Sequence, residues 1–216
     1  MSNAKTELIE KIKEKKELSG LTNSLISDML ESYLEKYKIN LENLKNSEAK
    51  IIVKDIRRSL RDIVGRFQKS IKKRTNLLEI GDIETLLKSH SSTSERLSFY
   101  PKLKKLIDKL NVKSILDLGC GLNPIALADK NLVYYAADVK EDDLELVKRF
   151  FEKNNFQGRV FVYNLRKISN DLPNADLCII FKVLDVLEKK QHGLAEKILN
   201  SANCKYFLIS FATKTL

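Results

Sequence analysis

Histidine occurs only twice in the 216 residues, at His90 and His192, and the three cysteines, Cys120, Cys178 and Cys204, show no C-x-x-C spacing. Zinc and redox centres draw on clustered Cys and His, so no metal site is expected, and the thiols are read as reduced side chains packed in or near a core. No apolar run approaches the ~20 residues that span a bilayer, and the opening MSNAKTELIEKIKEKKE lacks the apolar stretch of a secretion signal. A soluble, cytoplasmic protein with no membrane partner is therefore expected. Internal repeats and low-complexity segments are absent too.

Positive charge is what the chain has in excess, and it is placed unevenly. The net charge is +10. Residues 1–110 hold 24 Lys and Arg against 16 Asp and Glu, and the stretch Lys50 to Arg74 alone holds ten against two. A polyanion is the partner that such a front half suits, although a solvated lysine-rich face explains the charge equally well.

The same front half reads as helical. Leu25, Ile26, Met29, Leu30, Tyr33, Leu34 and Tyr37 recur at three and four, after a capping stretch at Thr22 to Ser24. From Ser47 to about Lys73, Ile52, Ile56, Leu60, Ile63, Val64, Phe67 and Ile71 form one stripe. Lys54, Arg57, Arg58, Arg61, Lys69 and Lys72 fall mostly opposite, which predicts an amphipathic helix with a cationic wet face. Shorter helices are expected over 81–88 and 93–110, with Pro101 kinking or starting one.

After Asn111 the period changes. Short β-rich runs at 114–118, 132–137, 159–163, 176–181 and 205–211 alternate with helical stretches at 124–129, 141–153 and 188–200. That alternation predicts a doubly wound α/β domain with parallel strands covered on both faces. Two domains follow, a basic helical one over 1–110 and an α/β one over 111–216.

The first strand runs into a glycine turn, SILDLGCGLNP at 114–124, where backbone can approach a ligand closely at Gly119 and Gly121. A dinucleotide fingerprint needs a third glycine where this chain has Pro124. S-adenosylmethionine has no phosphate to seat on the helix N-terminus, and it fits the turn better. Asp138 at the end of the second strand suits a ribose diol, and Asn164 at the end of the third suits the adenine amino group. Each of these two side chains alone reads equally well as a helix cap.

Several segments, in order, carry a family resemblance: VKDIRRSLRDIVGRF at 53–67, HSSTSERL at 90–97, DLGCGLNPIAL at 117–127, FKVLDVLEKKQHG at 181–193 and SFATKTL at 210–216. They resemble the VKRTKRGLHEIYGAF, HxSTRERL, DLACGLNP, LKxLxxLExQxxG and FPTKSL segments of the aminoglycoside-resistance methyltransferases that modify 16S ribosomal RNA at a guanine N7. The resemblance implies a Rossmann-like class I methyltransferase domain that uses S-adenosyl-L-methionine, preceded by an all-helical RNA-docking domain, with the small ribosomal subunit as partner. It also implies a seven-stranded sheet, of which five strands are read here, the final antiparallel pair being absent.

Site roles follow from the same resemblance. Thr93 and Arg96 would lie beside the methionine end, Gly119 and Gly121 would line it, and Asp138 and Asn164 would take ribose and adenine. Lys182 and Glu188 would orient the target base as catalytic residues, while Arg57, Arg58, Arg61, Arg66, Lys69, Lys72, Lys73 and Arg74 would contact RNA phosphates. The N7 lone pair attacks a sulfonium methyl without a general base, so the shortage of histidine and cysteine is no obstacle. Two departures are visible, Ser94 where the family has arginine and Asn164 where it often has aspartate. The alternative is a noncatalytic RNA-binding or ribosome-associated protein that keeps the fold, and a third is a methyltransferase for another substrate.

Overall fold

The computed structural model of the chain describes residues 3–64, 71–169, 171–188 and 192–211. They divide into two compact units, Met1–Phe67 and Gln68–Leu216. The division therefore falls well before the expected boundary at residue 110, because the helices after residue 70 bury their apolar faces in the core of the sheet unit.

The first unit holds α1 (Asn3–Lys13), α2 (Asn23–Tyr37) and α3 (Asn46–Val64), with a short 3-10 turn at Leu41–Asn43. Leu8, Ile9 and Ile12 of α1, Leu25, Ile26, Met29 and Leu30 of α2, and Ile52, Ile56 and Leu60 of α3 are buried. Side chains spaced at three and four on each helix thus meet in one small core. The Thr22 hydroxyl caps α2 by accepting from Leu25 N at 3.3 Å.

The first helix changes the reading of α3. Arg57 donates through Nε to Ile12 O at 3.3 Å and through Nη2 to Lys11 O, and it sits 3.3 Å from Glu14; Arg61 pairs with Glu17 at 2.7 Å. Carbonyls freed at the end of α1 carry partial negative charge and draw the guanidinium in. The cationic face expected to be wet is therefore partly covered, and Arg58 is the member of that arginine group left exposed.

In the second unit come α4 (Ile71–Glu79), α5 (Ile83–Lys88), α6 (Ser91–Arg96) and α7 (Tyr100–Leu110). Pro101 lies in the first turn of α7, where its missing N–H costs nothing, so it starts a helix. The chain then alternates through β1 (Ser114–Leu118), α8 (Asn123–Leu127), β2 (Val133–Asp138), α9 (Glu141–Asn154), β3 (Gln157–Val162), β4 (Ala175–Phe181), α10 (Leu184–Glu188), α11 (Leu194–Ser201) and β5 (Cys204–Ser210). All paired strands are parallel, in the order β3-β2-β1-β4-β5. The order reverses between β1 and β4, which makes their carboxyl ends the switch point where ligands of such folds bind.

Both faces of the sheet are covered. Ile115, Leu177 and Ile179 pack with Leu86, Leu103, Ile107, Val147 and Phe151 on one side, while Leu116, Leu118, Cys178 and Ile180 pack with Leu184, Leu187, Leu194 and Ile198 on the other. Strands buried on both faces read as continuous apolar runs, which is why SILDL and DLCIIF stand out in the sequence.

Candidate active site

The glycine turn leaves β1 with Gly119 at φ +72° and Gly121 at φ +50°. Gly119 N and Cys120 N both donate to Ala137 O, at 2.8 and 3.0 Å, which ties the turn to the end of β2. Neither glycine has room for a side chain. A β-carbon at Gly119 would meet Val183 Cγ2 at 2.6 Å, and one at Gly121 would meet His90 Cε1 at 2.7 Å.

Asp138 closes the turn from the other side. Its Oδ2 accepts from Gly121 N at 2.8 Å, and its Oδ1 accepts from Val139 N at 2.7 Å and Lys140 N at 3.1 Å. Burial and the nearby Asp143 push its carboxyl above the ordinary range in spite of those three donors. Asn164 follows β3 on the same edge, where Tyr163 N donates to Asp138 O at 3.0 Å, and its Oδ1 accepts from Arg166 N at 3.1 Å.

A buried polar network sits beneath the turn. Arg96 Nη2 donates to Asn123 Oδ1 at 3.0 Å, Tyr100 donates to the same oxygen at 2.7 Å, and the guanidinium lies 5.0 Å from the centre of the Phe181 ring. The Nε and Nη1 groups of Arg96 are buried and have no partner among the described residues. Asp117 is fully buried, accepts from Tyr134 OH at 2.7 Å, and has its carboxyl pushed up to about 7 by burial.

Beside it lies a cluster that the sequence did not announce. Arg74 Nη1 meets Asp143 Oδ1 at 2.5 Å with both side chains buried, while Lys140 Nζ and His90 Nε2 stand 3.8 and 3.7 Å from the same carboxylate. Burial alone would raise the Asp143 carboxyl, but the charges of Arg74 and Lys140 hold it below the ordinary range. Burial dominates at His90, whose imidazole is pushed down to about 4 and is neutral at physiological pH.

These contacts correct part of the expected docking set. Arg74 is 1% exposed and neutralises Asp143, so in this structure it presents nothing to a phosphate. Lys72 and Lys73 are exposed, as is Arg58, and none of the three has an ion-pair partner among the described residues. Arg66 and Lys69 lie outside the described residues, as do 212–216 of the last resemblance segment.

The remaining expected positions are also placed. Thr93 is fully buried, with its hydroxyl 2.6 Å from Leu87 O and 3.0 Å from His90 O, so it fastens α6 to the end of α5. Lys182 follows β4 in the left-handed region at φ +58°, donates from its backbone N to Ser210 O at 2.8 Å, and pairs through Nζ with Glu95. Glu188 accepts from Gly193 N at 2.6 Å and Ala195 N at 3.0 Å, and those backbone donors hold its carboxyl below the ordinary range. Its geometry is that of a cap on α11. Among the described residues no group of three or more His, Cys, Asp or Glu is placed to hold a metal ion.

A family model described as "Ribosomal RNA methyltransferase (FmrO)" matches residues 52–216. The chain belongs to this family. A 16S rRNA (guanine(1405)-N(7))-methyltransferase of Serratia marcescens is 29% identical over 178 residues, covering 80% of this chain and 70% of its own. One of the same name from Micromonospora rosea is 30% identical over 188 residues, covering 76% of this chain and 67% of its own. Among solved structures, the 16S rRNA methyltransferase RmtF in complex with S-adenosyl-L-homocysteine superposes with a TM-score of 0.83 at 23% identity, covering all of this chain and 84% of that one. At that identity the likeness shows the fold, including the helices in front of the sheet. The family match spans most of α3 and the whole sheet unit, so it takes in the glycine turn, the α6 segment and the Lys182 edge alike.

Proposed function

We propose that this rRNA methyltransferase family member uses S-adenosyl-L-methionine to methylate N7 of a guanine in the decoding site of small-subunit 16S rRNA, acting in the cytoplasm on the small ribosomal subunit. The observation that carries the reading is the convergence of Gly119, Gly121, Asp138 and Asn164 on one carboxyl edge of the sheet, beside the α6 segment that carries Arg96.

The residues fit the cofactor. Asp138 Oδ2 bears a single backbone donor and keeps acceptor capacity for a ribose hydroxyl. Arg96 has two buried N–H groups without partners, which suits a carboxylate and makes up for the serine at position 94. Asn164, which follows β3 on the same edge, takes the adenine amino group in this reading. Thr93 acts one step removed, by holding α6. When bound, the cofactor supplies a methyl group on a sulfonium centre.

The rest of the chemistry is positioning. A guanine N7 carries a free lone pair, so no protein group has to remove a proton; a fixed approach and exclusion of water suffice. Lys182, fixed at the mouth by its backbone bond to Ser210 and by Glu95, orients the target base. Glu188 supports α11, and its role at the base is indirect. Front-half cations, Arg58, Lys72 and Lys73 among them, contact RNA phosphates and set register, and the guanine is flipped out of its stack at a cost of ~a few kcal/mol. Methylation there implies aminoglycoside resistance for the host.

Calorimetric titration of S-adenosylmethionine into the wild type and Asp138→Ala tests the reading. Saturable binding that Asp138→Ala loses supports it. No binding by either protein would favour the noncatalytic ribosome-associated alternative.

A further inference from the structure

The sheet unit carries a cationic surface of its own on α7. Tyr100, Leu103 and Ile107 are buried in the core beside β1, which fixes how the helix is rotated. Lys102, Lys105 and Lys109, at i, i+3 and i+7, therefore line up on the outward side, with Lys104 beside them and Lys113 just past the helix end. All five are exposed, and Asp108 is the single acid between Tyr100 and Lys113.

The lysines of this surface are gathered on one helix without internal neutralisation. Lys88 pairs with Glu84, Lys153 with Glu79 and Lys182 with Glu95, all in the same unit. None of the five lysines on and after α7 has an ion-pair partner among the described residues. Like charges three and four apart repel along a helix, so the row carries a small cost against which the helix sets a single acid, Asp108. Two apolar side chains of the same segment are exposed as well, Phe99 at 48% and Leu106 at 37%. Cations interleaved with exposed apolar groups are the composition of a nucleic-acid surface.

Its location agrees. The first residue of the helix, Tyr100, donates to Asn123 beside the glycine turn, so the lysine row begins near the active-site edge and runs ~10 Å along the helix away from it. We propose that the outward face of α7, with Lys102, Lys104, Lys105 and Lys109, is a phosphate-docking surface for ribosomal RNA that belongs to the methyltransferase unit itself. The inference rests on the rRNA reading given above. It assigns RNA contact to side chains that lie outside the basic stretch 50–74, part of which is consumed by Glu14, Glu17 and Asp143.

The test compares wild type with Lys102→Gln/Lys105→Gln/Lys109→Gln, all surface changes that leave the core untouched, for binding to intact small ribosomal subunits across a salt series. Cofactor titration of both proteins reports whether the sheet unit remains intact. The expected result is affinity reduced about 10-fold or more near 100 mM salt, with a salt slope shallower by ~0.7 to 0.9 for each phosphate no longer neutralised, and unchanged cofactor affinity. Equal affinity and equal slope in the two proteins would overturn the proposal and mark α7 as a solvated face. If the wild type binds subunits in the expected way but transfers no methyl group, the docking surface stands and the catalytic reading falls. If the wild type does not bind subunits at all, both fall.

Discussion

The imidazole of His90 rests against the α-carbon of Gly121, so closely that a β-carbon there would lie 2.7 Å from Cε1 and 3.0 Å from Nε2. Behind the ring stand Asp143 and then Arg74, which connects the glycine turn to α4 through one half-buried and two buried side chains. The glycine turn is therefore shaped from beneath by a chain of side chains that runs back to α4.

Gly121→Ala should weaken S-adenosylmethionine binding by about 10-fold or more, because the ring or the turn has to shift. Gly81→Ala provides the control, since its φ of +77° carries comparable backbone strain with nothing within 4 Å of the added carbon. That control is expected to lose ~1 to 2 kcal/mol of stability from the left-handed conformation alone, with unchanged cofactor affinity. Urea unfolding and calorimetry of the two variants separate the steric effect from the backbone effect.

Arg74→Met should cost ~3 kcal/mol of folding stability, because it removes the hydrogen-bonded guanidinium from the buried Asp143 carboxylate and leaves Lys140 3.8 Å away. Arg58→Met, at an exposed site, should change stability by less than ~0.5 kcal/mol and weaken RNA binding instead. Urea denaturation together with subunit binding distinguishes the two arginines, which differ in environment although the sequence shows both in one basic run.

The strands are legible in the sequence because β1 and β4 are buried on both faces and leave uninterrupted apolar runs. The glycine turn is legible because its backbone angles favour glycine so strongly. The Arg74 and Asp143 pair is not, since charged residues default to solvent and the two lie far apart in the chain. Likewise α1 offers only Leu8, Ile9 and Ile12 among lysines and glutamates, and without it Arg57 and Arg61 look free. Glu188 matches a motif position, but its attachment to the start of α11 depends on a turn of the chain that spacing does not reveal.

Asp117 and His90 make opposite contributions to the pH dependence of stability. Asp117 has its carboxyl raised from 3.8 to about 7, so between those values the folded state holds a proton that the unfolded state has lost, and stability falls as pH rises. His90 is lowered from 6.5 to about 4, so across that window the unfolded state holds the extra proton and stability rises with pH. The stability difference between Asp117→Asn and wild type should therefore grow in favour of the variant from about pH 4 to 7 and level off above. Thermal unfolding of both proteins at several pH values checks the sign.

Lys182→Ala should reduce methyl transfer by about 10-fold or more while cofactor affinity stays the same, since its ammonium pairs with Glu95 and is proposed to orient the base, with no cofactor contact assigned to it. Glu188→Ala should cost ~1 kcal/mol of stability through the missing cap on α11, with a smaller effect on transfer. Single-turnover rates and unfolding midpoints for both variants check the split.

The most direct test of the account incubates the protein with intact small ribosomal subunits and radiolabelled S-adenosylmethionine, then maps N7-methylguanine by borohydride and aniline cleavage of the RNA. The expected result is label confined to the 16S RNA, cleavage at one decoding-site guanine, and neither with Asp138→Ala. Saturable cofactor binding without label in the RNA of intact subunits would contradict it.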